Sequence, residues 1–301
     1  MTDTGPTLEE RDEPSTPRWR HSVALIVFLL PFAGLLWVTN WYWKRVELFD
    51  GAEVKLAVPE SKWLRLFGDE IAEIYFGDPI QLGIENEHLT PRQLKLIGSY
   101  KRLESLGLVG VSDDDLQYLG DLPNLEGLQI RSSHLTGDGL QHMAQLIKLE
   151  RLVLQTPKLT DNSLEHLVKL KSLQDLRIET PLLTDVGLQH LEGAIWLQEL
   201  HVSGGTVSED GMQNLAGIST LAVLSLNNVE FKGDPFQPLA ERGNIRHLVL
   251  NHSHVTDDML EALARNDYLQ HVLLIGTGVS PEACRKLDQA QPNLSVGYSL
   301  E

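Results

Sequence analysis

Apolar residues recur with a period of 24 along most of this 301-residue chain. The pattern L-x-x-L-x-L starts eight times between Leu103 and Leu269, with one step of 22 residues followed by six steps of 24. Alternation of apolar and polar residues within the pattern indicates a short strand with one buried side. One further period back reaches Leu82, so the spacing predicts nine units from about residue 79 to 291, followed by a capping strand near Val296.

After its strand, each unit continues with an apolar residue, a hydroxyl residue and a helical pattern. A serine or threonine at this place predicts a helix N-cap, because its side chain accepts a hydrogen bond from a free backbone N–H group. Acidic residues just after the cap, such as Asp185, complement the positive end of the helix dipole. Each unit is therefore predicted to be a strand, a turn and a short helix. The predicted caps are Thr90, Ser112, Thr136, Thr160, Thr184, Ser208, Thr256 and Ser280.

The stretch from Leu226 to Arg242 departs from this pattern. Lys232 replaces the hydroxyl cap, and Pro235 and Pro238 fall where the helix is expected. Because proline removes a backbone donor and blocks a helix interior, we expect an irregular turn there.

Residues 79–301 resemble the leucine-rich repeat family. The form L-T-D-x-G-L-x-x-L-x-x-L, present from Leu183 to Ala194, is similar to a repeat type of bacterial membrane-tethered proteins and of the repeat half of eukaryotic F-box proteins. The resemblance implies an α/β solenoid with a parallel concave sheet and short convex helices, in which stacked units share one leucine core. The asparagine usual at the ninth position of a unit is missing, so an asparagine ladder is not expected.

The N-terminal part of the chain contains an uncharged apolar segment at residues 22–43. At about 1.5 Å per residue this segment is long enough for the roughly 30 Å of bilayer hydrocarbon. Trp41 and Trp43 lie at its far end, as aromatic residues do at membrane interfaces. The segment predicts a single transmembrane helix and a single-pass membrane localisation. A cleavable signal peptide is one alternative, although the small residues of a cleavage site are absent. A buried globular helix is the other, although the segment is apolar on every face and Pro31 would be costly in its centre.

The predicted organisation has four parts. Residues 1–21 form a polar, disordered tail, residues 22–43 the transmembrane helix, and residues 44–78 a juxtamembrane segment and N-terminal cap. Residues 79–301 form the solenoid of nine repeats with its C-terminal capping strand. The complete fold prediction is thus an α/β leucine-rich repeat solenoid preceded by one transmembrane helix.

Composition narrows the function classes. The chain has 25 basic and 42 acidic residues, for a net charge of −17, which argues against a nucleic-acid partner. Its one cysteine, Cys284, excludes an intramolecular disulfide. No nucleophile-elbow, zinc-protease, P-loop or dinucleotide-binding motif is present. We therefore predict a chain that is not an enzyme and carries no cofactor or catalytic metal.

Histidine leaves one alternative open. His247 and His271 are in phase on adjacent predicted strands, and His252 and His254 lie nearby. Imidazoles so placed could hold zinc or copper in a metal-dependent enzyme, although the pattern supplies no carboxylate or thiolate to complete the site.

The exposed strand positions form the concave face, the surface by which such repeats bind proteins. They supply the candidate binding residues. A surface network of ion pairs, for example Arg151 with Asp175, is the alternative explanation for these charges and would stabilise the fold little. The candidates are Arg131, Arg151, Asp175, Arg177, Glu179, Glu199, His201, His247 and His271.

The predicted function is a membrane-tethered scaffold that binds a protein partner through this concave face. The alternative from another class is an F-box-like substrate-recognition subunit of a ubiquitin ligase. That alternative requires an adaptor-binding helical module before residue 79.

Overall fold

The computed structural model describes residues 54–57, 81–84, 89–241, 244–291 and 293–299. Residues 54–57 are described by their backbone alone. Within these ranges, eleven strands form one sheet, in which every pair is parallel except β1 with β2. A separate two-stranded parallel sheet pairs β8 with β10. The strands are β1 (Val54–Ala57), β2 (Gln81–Ile84), β3 (Ser105–Val109), β4 (Gly127–Arg131), β5 (Arg151–Gln155), β6 (Asp175–Glu179), β7 (Glu199–Ser203), β8 (Thr206–Ser208), β9 (Val223–Asn227), β10 (Glu230–Lys232), β11 (His247–Val249), β12 (His271–Leu274) and β13 (Ser295–Tyr298).

The register of the large sheet aligns residues one repeat apart. Leu152 pairs with Leu176, Leu176 with Leu200, and Leu200 with Leu224, and all four side chains are fully buried. Neighbouring strands lie about 4.8 Å apart, so these leucines form a continuous row inside the solenoid. Burial of one such side chain stabilises a fold by about 1.5–3 kcal/mol, and only an adjacent unit completes that burial. The predicted α/β solenoid with a parallel sheet is confirmed.

Short helices return the chain from one strand to the next. The α-helices are α1 (Pro91–Gly98), α2 (Asp185–His190), α3 (Glu209–Ala216), α4 (Gln237–Glu241), α5 (Asp257–Leu263) and α6 (Pro281–Ala290). Other units use 3₁₀ helices, at Asp113–Tyr118, Asp138–Gln145, Asp161–Lys169 and Leu191–Gly193.

The predicted helix caps hold only in part. Four of them, Thr90, Thr184, Ser208 and Ser280, accept a hydrogen bond from a backbone N–H group of their own helix. Thr160 and Thr256 make no such bond. In the third unit Gly137, with φ of 105°, is the cap residue instead of Thr136.

The aspartates of the motif make hydrogen bonds between units, which the dipole argument did not anticipate. The Asp161 carboxylate accepts from the Thr184 backbone N–H at 2.8 Å and from its hydroxyl at 2.6 Å. Asp185 bonds Ser208 in the same way, at 2.9 and 2.5 Å. Each bond reaches the residue that begins the next helix. We call these inter-unit carboxylates the aspartate clamps; they are Asp113, Asp161, Asp185 and Asp257.

The glycine of the same motif makes room for the clamp. A Cβ atom on Gly187 would collide with the Asp161 carboxylate, and one on Gly211 would collide with that of Asp185. Both glycines are buried. The spacing L-T-D-x-G-L therefore combines a carboxylate that reaches forward with a glycine that receives the carboxylate of the preceding unit.

The irregular stretch that begins at Leu226 contains more order than expected. Phe231 on β10 packs edge-on against the buried Phe236, with ring centroids 5.2 Å apart. Helix α4 begins only after Pro235, and Pro238 lies in its first turn, where a missing N–H costs little. The prolines thus lie before the helix and in its first turn, and they do not abolish it.

Strand β1 extends the sheet in front of the repeats. It pairs antiparallel with β2, Val54 opposite Ile84. The sequence did not predict this strand, which lies within residues 44–78. The remainder of that predicted cap is outside the described residues, and the domain bounds stay a prediction.

The predicted membrane anchor needs a correction. No helix within the part of the chain that the structure describes is long and apolar enough to cross a membrane. The α-helices there have five to ten residues, so at 1.5 Å per residue they fall well short of a bilayer. Residues 22–43 themselves lie outside the described residues. The transmembrane helix and the single-pass membrane localisation are therefore not retained, and the structure supports the α/β solenoid part of the fold prediction.

Candidate binding face

The sheet brings seven of the nine candidate residues together. They occupy the exposed side of four adjacent strands, from Arg131 on β4 to His201 on β7. His247 and His271 lie apart from them, on β11 and β12, with β9 in between.

Asp175 is the centre of the charged network. Its carboxylate accepts hydrogen bonds from Arg151 Nε at 3.3 Å and from Arg177, whose Nε and Nη2 each lie 3.1 Å from a carboxylate oxygen. The Asp175 side chain is only 13% exposed. Hydrogen bonding to Asp175 raises the pKa of the Arg177 guanidinium above its ordinary value. The ion pair of Arg151 with Asp175 that the sequence suggested is therefore present, with a second arginine added.

A second network runs beside the first through an uncharged residue. Arg131 Nε donates to Gln155 Oε1 at 3.2 Å, and Gln155 Nε2 donates to Glu179 Oε2 at 2.9 Å. Gln155 on β5 thus links the cation of Arg131 on β4 with the anion of Glu179 on β6, two strands that are not neighbours in the sheet. Its position on the concave face was predictable, but this bridging role depends on side-chain geometry.

Two adjoining hollows form a groove over these strands. The first, of about 450 Å³, lies at the loop edge and includes Thr156 and Asn228 in its wall. The second, of about 380 Å³, has the apolar side chain of Val153 on its floor. These volumes lie in the range of ligand pockets. We call both hollows together the central groove; they share Gln155, Glu179 and Ser203.

Unpaired polar atoms are concentrated in the lining of the central groove. Thr156 Oγ1, His201 Nε2 and Asn227 Oδ1 are buried and have no hydrogen-bond partner in the described structure. His201 Nε2 lies 3.6 Å from Glu199 Oε2, which is too long for a hydrogen bond. The other such atom among the described residues, His166 Nδ1, lies on a helical segment away from the groove. Buried polar atoms are usually paired, so these three are exceptions. Because each atom has almost no exposed surface, they lie beneath the groove and not on the surface that a ligand would touch.

Asn227 and Thr156 are not among the binding residues predicted from the sequence. Thr156 follows its strand where other units have Ser132 and Thr180, whose hydroxyls donate to the carbonyls of the preceding unit. That column of hydroxyl residues is visible in the sequence, but the missing partner of Thr156 is not.

In the part of the chain that the structure describes, no group of three metal-ligating side chains converges at His247 and His271. Their rings are stacked, with centroids 4.8 Å apart and planes at 16°. In the described ranges, the three metal-ligating side chains that converge are instead Asp175, Glu199 and His201, with ligand atoms within 4.8 Å of one another. Two guanidinium groups already bind the Asp175 carboxylate, so an added divalent cation would meet electrostatic repulsion.

The F-box-like alternative depends on residues before position 79. Apart from the short strand β1, those residues lie outside the described part of the chain. It stays an untested prediction.

Comparison with known proteins adds little to this geometry. No family model matches the chain, and no curated protein matches it. Among solved structures, the crystal structure of an internalin C2 from Listeria monocytogenes is similar at 19% identity, with a TM-score of 0.42. The match covers 70% of this chain and 84% of that one. At that TM-score the likeness supports no functional argument, and the fold assignment rests on the repeat and the strand register.

Proposed function

We propose that this chain is a non-enzymatic scaffold that binds a protein partner through the concave face of its repeats. The observation that carries the proposal is the central groove, which combines the apolar side chain of Val153 with paired charges and accessible polar groups on five adjacent strands. Partner surfaces with apolar centres and polar rims fit such a lining.

The same side chains give little support to catalysis. Nucleophilic or acid–base chemistry needs a nucleophile within hydrogen-bond reach of a base. His201 Nε2 has no hydrogen-bond partner among the described residues, and the Asp175 carboxylate is occupied by two arginines. The arrangement favours recognition over bond making.

Site-specific photo-crosslinking tests the proposal. A photoreactive amino acid is placed at Gln129, an exposed concave residue that lines the groove, or at Gln189, an exposed residue of helix α2 on the convex side. In an extract, the Gln129 variant should crosslink to a discrete protein, and the Gln189 variant should not. The partner is then purified and its affinity measured with Val153→Arg, which fills the groove floor. Crosslinking from Gln189 alone, or unchanged affinity of the Val153→Arg variant, would contradict a concave binding site.

A further inference from the structure

We infer that the central groove binds an extended peptide segment of the partner that carries one acidic and one basic side chain about three residues apart. The acidic side chain lies over β4 and β5, and the basic side chain lies over β6 and β7. This inference rests on the proposed function, because it names the chemistry of the partner at the same face.

The first support is the distribution of charge along the face. The exposed sides of β4 and β5 carry two arginines, Arg131 and Arg151, and no acidic residue. The exposed sides of β6 and β7 carry three carboxylates against one arginine, which leaves two negative charges when His201 is neutral. A uniformly charged ligand would be attracted at one end of this face and repelled at the other. A ligand with both charges matches it in one orientation only.

Two of these charges have no counter-ion of their own. Arg131 and Glu179 make no ion pair within 4.0 Å in the described structure, and each is held only by the uncharged Gln155. On the positive side, Arg151 shares the single Asp175 carboxylate with Arg177. Both ends of the face therefore keep unbalanced charge for a partner.

The spacing of the strands sets the spacing of the ligand charges. The centres of the two charged pairs of strands are two strand separations apart, about 10 Å. A polyproline II segment advances about 3.1 Å per residue with three residues per turn, so residues i and i+3 face the same way about 9 Å apart. An acidic and a basic residue separated by two others fit this distance.

Accessible polar side chains of the lining favour a peptide main chain as the part that fills the groove. Gln129 and Ser203 carry an amide and a hydroxyl there, and each of these groups can donate and accept a hydrogen bond. An extended peptide offers one N–H donor and one C=O acceptor per residue, and its small side chains would cover Val153.

The test is a selection from a random dodecapeptide library on the purified full chain. Enriched peptides should contain an acidic and a basic residue two to four positions apart. A synthetic peptide of the consensus is then compared by fluorescence anisotropy with a peptide in which both charged residues are replaced by their neutral amides. We expect the neutral peptide to bind the natural chain about tenfold more weakly or worse.

A double variant, Arg131→Glu with Glu179→Arg, removes the charge difference between the two halves of the face. It should bind the charged peptide about tenfold more weakly than the natural chain and should no longer distinguish the two peptides. Neither substitution breaks an existing ion pair. An unchanged melting temperature of the double variant verifies that it is folded. Arg285→Glu is the control for reversal of an exposed arginine. Arg285 lies on helix α6, away from the groove, and its exposed ion pair with Glu282 stabilises the fold little, so the variant should leave peptide affinity unchanged.

The outcomes separate this inference from the proposed function. Peptides that bind without a charge pattern, or that bind the double variant with unchanged preference, overturn the inference but leave a concave protein-binding site. If the library yields no binding peptide but Gln129 crosslinks to a partner, the inference is again overturned and the concave protein-binding site stays. Failure of both experiments overturns the inference and the proposed function alike.

Discussion

Replacement of Asp113 by asparagine tests the aspartate clamps most directly. Oδ2 of Asp113 accepts from the Thr136 backbone N–H at 2.9 Å and from its hydroxyl at 2.8 Å. Oδ1 accepts from the backbone N–H groups of Gly137 and Gly139, both at 2.9 Å. One side chain thus pairs three backbone donors and one hydroxyl of the next unit.

The expected loss follows from this geometry. Asparagine retains one acceptor oxygen, so the donors that faced the other oxygen meet an NH₂ group. A hydrogen bond to a charged group contributes about 1.5–3 kcal/mol net, and water replaces part of that at a half-exposed site. We expect Asp113→Asn to lower the free energy of unfolding by about 2–4 kcal/mol.

Asp161→Asn is the matched control. Asp161 binds only Thr184, with one oxygen toward the backbone N–H and the other toward the hydroxyl. An asparagine can keep the first bond and donate its NH₂ to the hydroxyl, so a loss of about 1 kcal/mol or less is expected. Urea denaturation monitored by circular dichroism gives both values, and exchange of the Gly139 amide hydrogen reports the local effect. Equal losses for the two variants would refute the reasoning.

Three further predictions use the same denaturation measurement. Leu200→Ala should lower the free energy of unfolding by about 2–5 kcal/mol, because Leu200 is 0% exposed. Leu182→Ala should change it little, because Leu182 is 49% exposed, and equal effects would mean that the repeat phase is wrong. Gly211→Ala should destabilise by more than about 1 kcal/mol through collision with the clamp carboxylate, while Gly107→Ala, whose nearest contact is 3.7 Å, should not. Hydrogen bonds hold the pKa of Asp113 below its ordinary 3.8 even though burial alone would raise it. Its stabilisation is therefore complete above about pH 4 and is lost as pH falls through the lowered pKa, and Asp113→Asn should flatten the stability curve there.

The strands and their phase could be predicted because the repeat states them many times. Each copy of the apolar pattern fixes which residues face inward, and the structure pairs Leu152, Leu176 and Leu200 accordingly. The strand at Val54–Ala57 was missed because it is antiparallel and occurs once, so no periodic signal announces it.

The aspartates lie in the first turn as predicted, but their hydrogen bonds to the next unit were missed for a physical reason. A helix dipole and an inter-unit hydrogen bond both place an acidic residue just after the cap, and a single unit cannot distinguish them. The glycine two positions later was the available signal, since Gly187 and Gly211 are buried against the carboxylates of the preceding units. Only the distance between units in space shows that the carboxylate reaches forward.

For the candidate site, the sequence predicted which residues share a face but not how their side chains interact, and binding by this face stays a prediction. The register determined that Arg151 and Asp175 lie side by side, and their ion pair followed. The bridge through Gln155 and the unpaired oxygen of Asn227 depend on side-chain rotamers, which strand periodicity does not determine.

The positions of the clamps connect the convex side to the groove. Asp161 and Asp185 join three consecutive units, and these are the units whose strands β5, β6 and β7 carry most of the central groove. One unit earlier, Gly137 stands at the position of the clamp aspartate. Among the described residues, the Thr160 N–H therefore donates only to the backbone oxygen of Thr136, at 3.2 Å. Surfaces held rigid before binding lose less conformational entropy when they bind. The two consecutive clamps therefore hold the groove strands in fixed register from the far side of the sheet. For the proposed binding site, this means that hydrogen bonds on the convex side lower the entropy lost on binding without touching the partner.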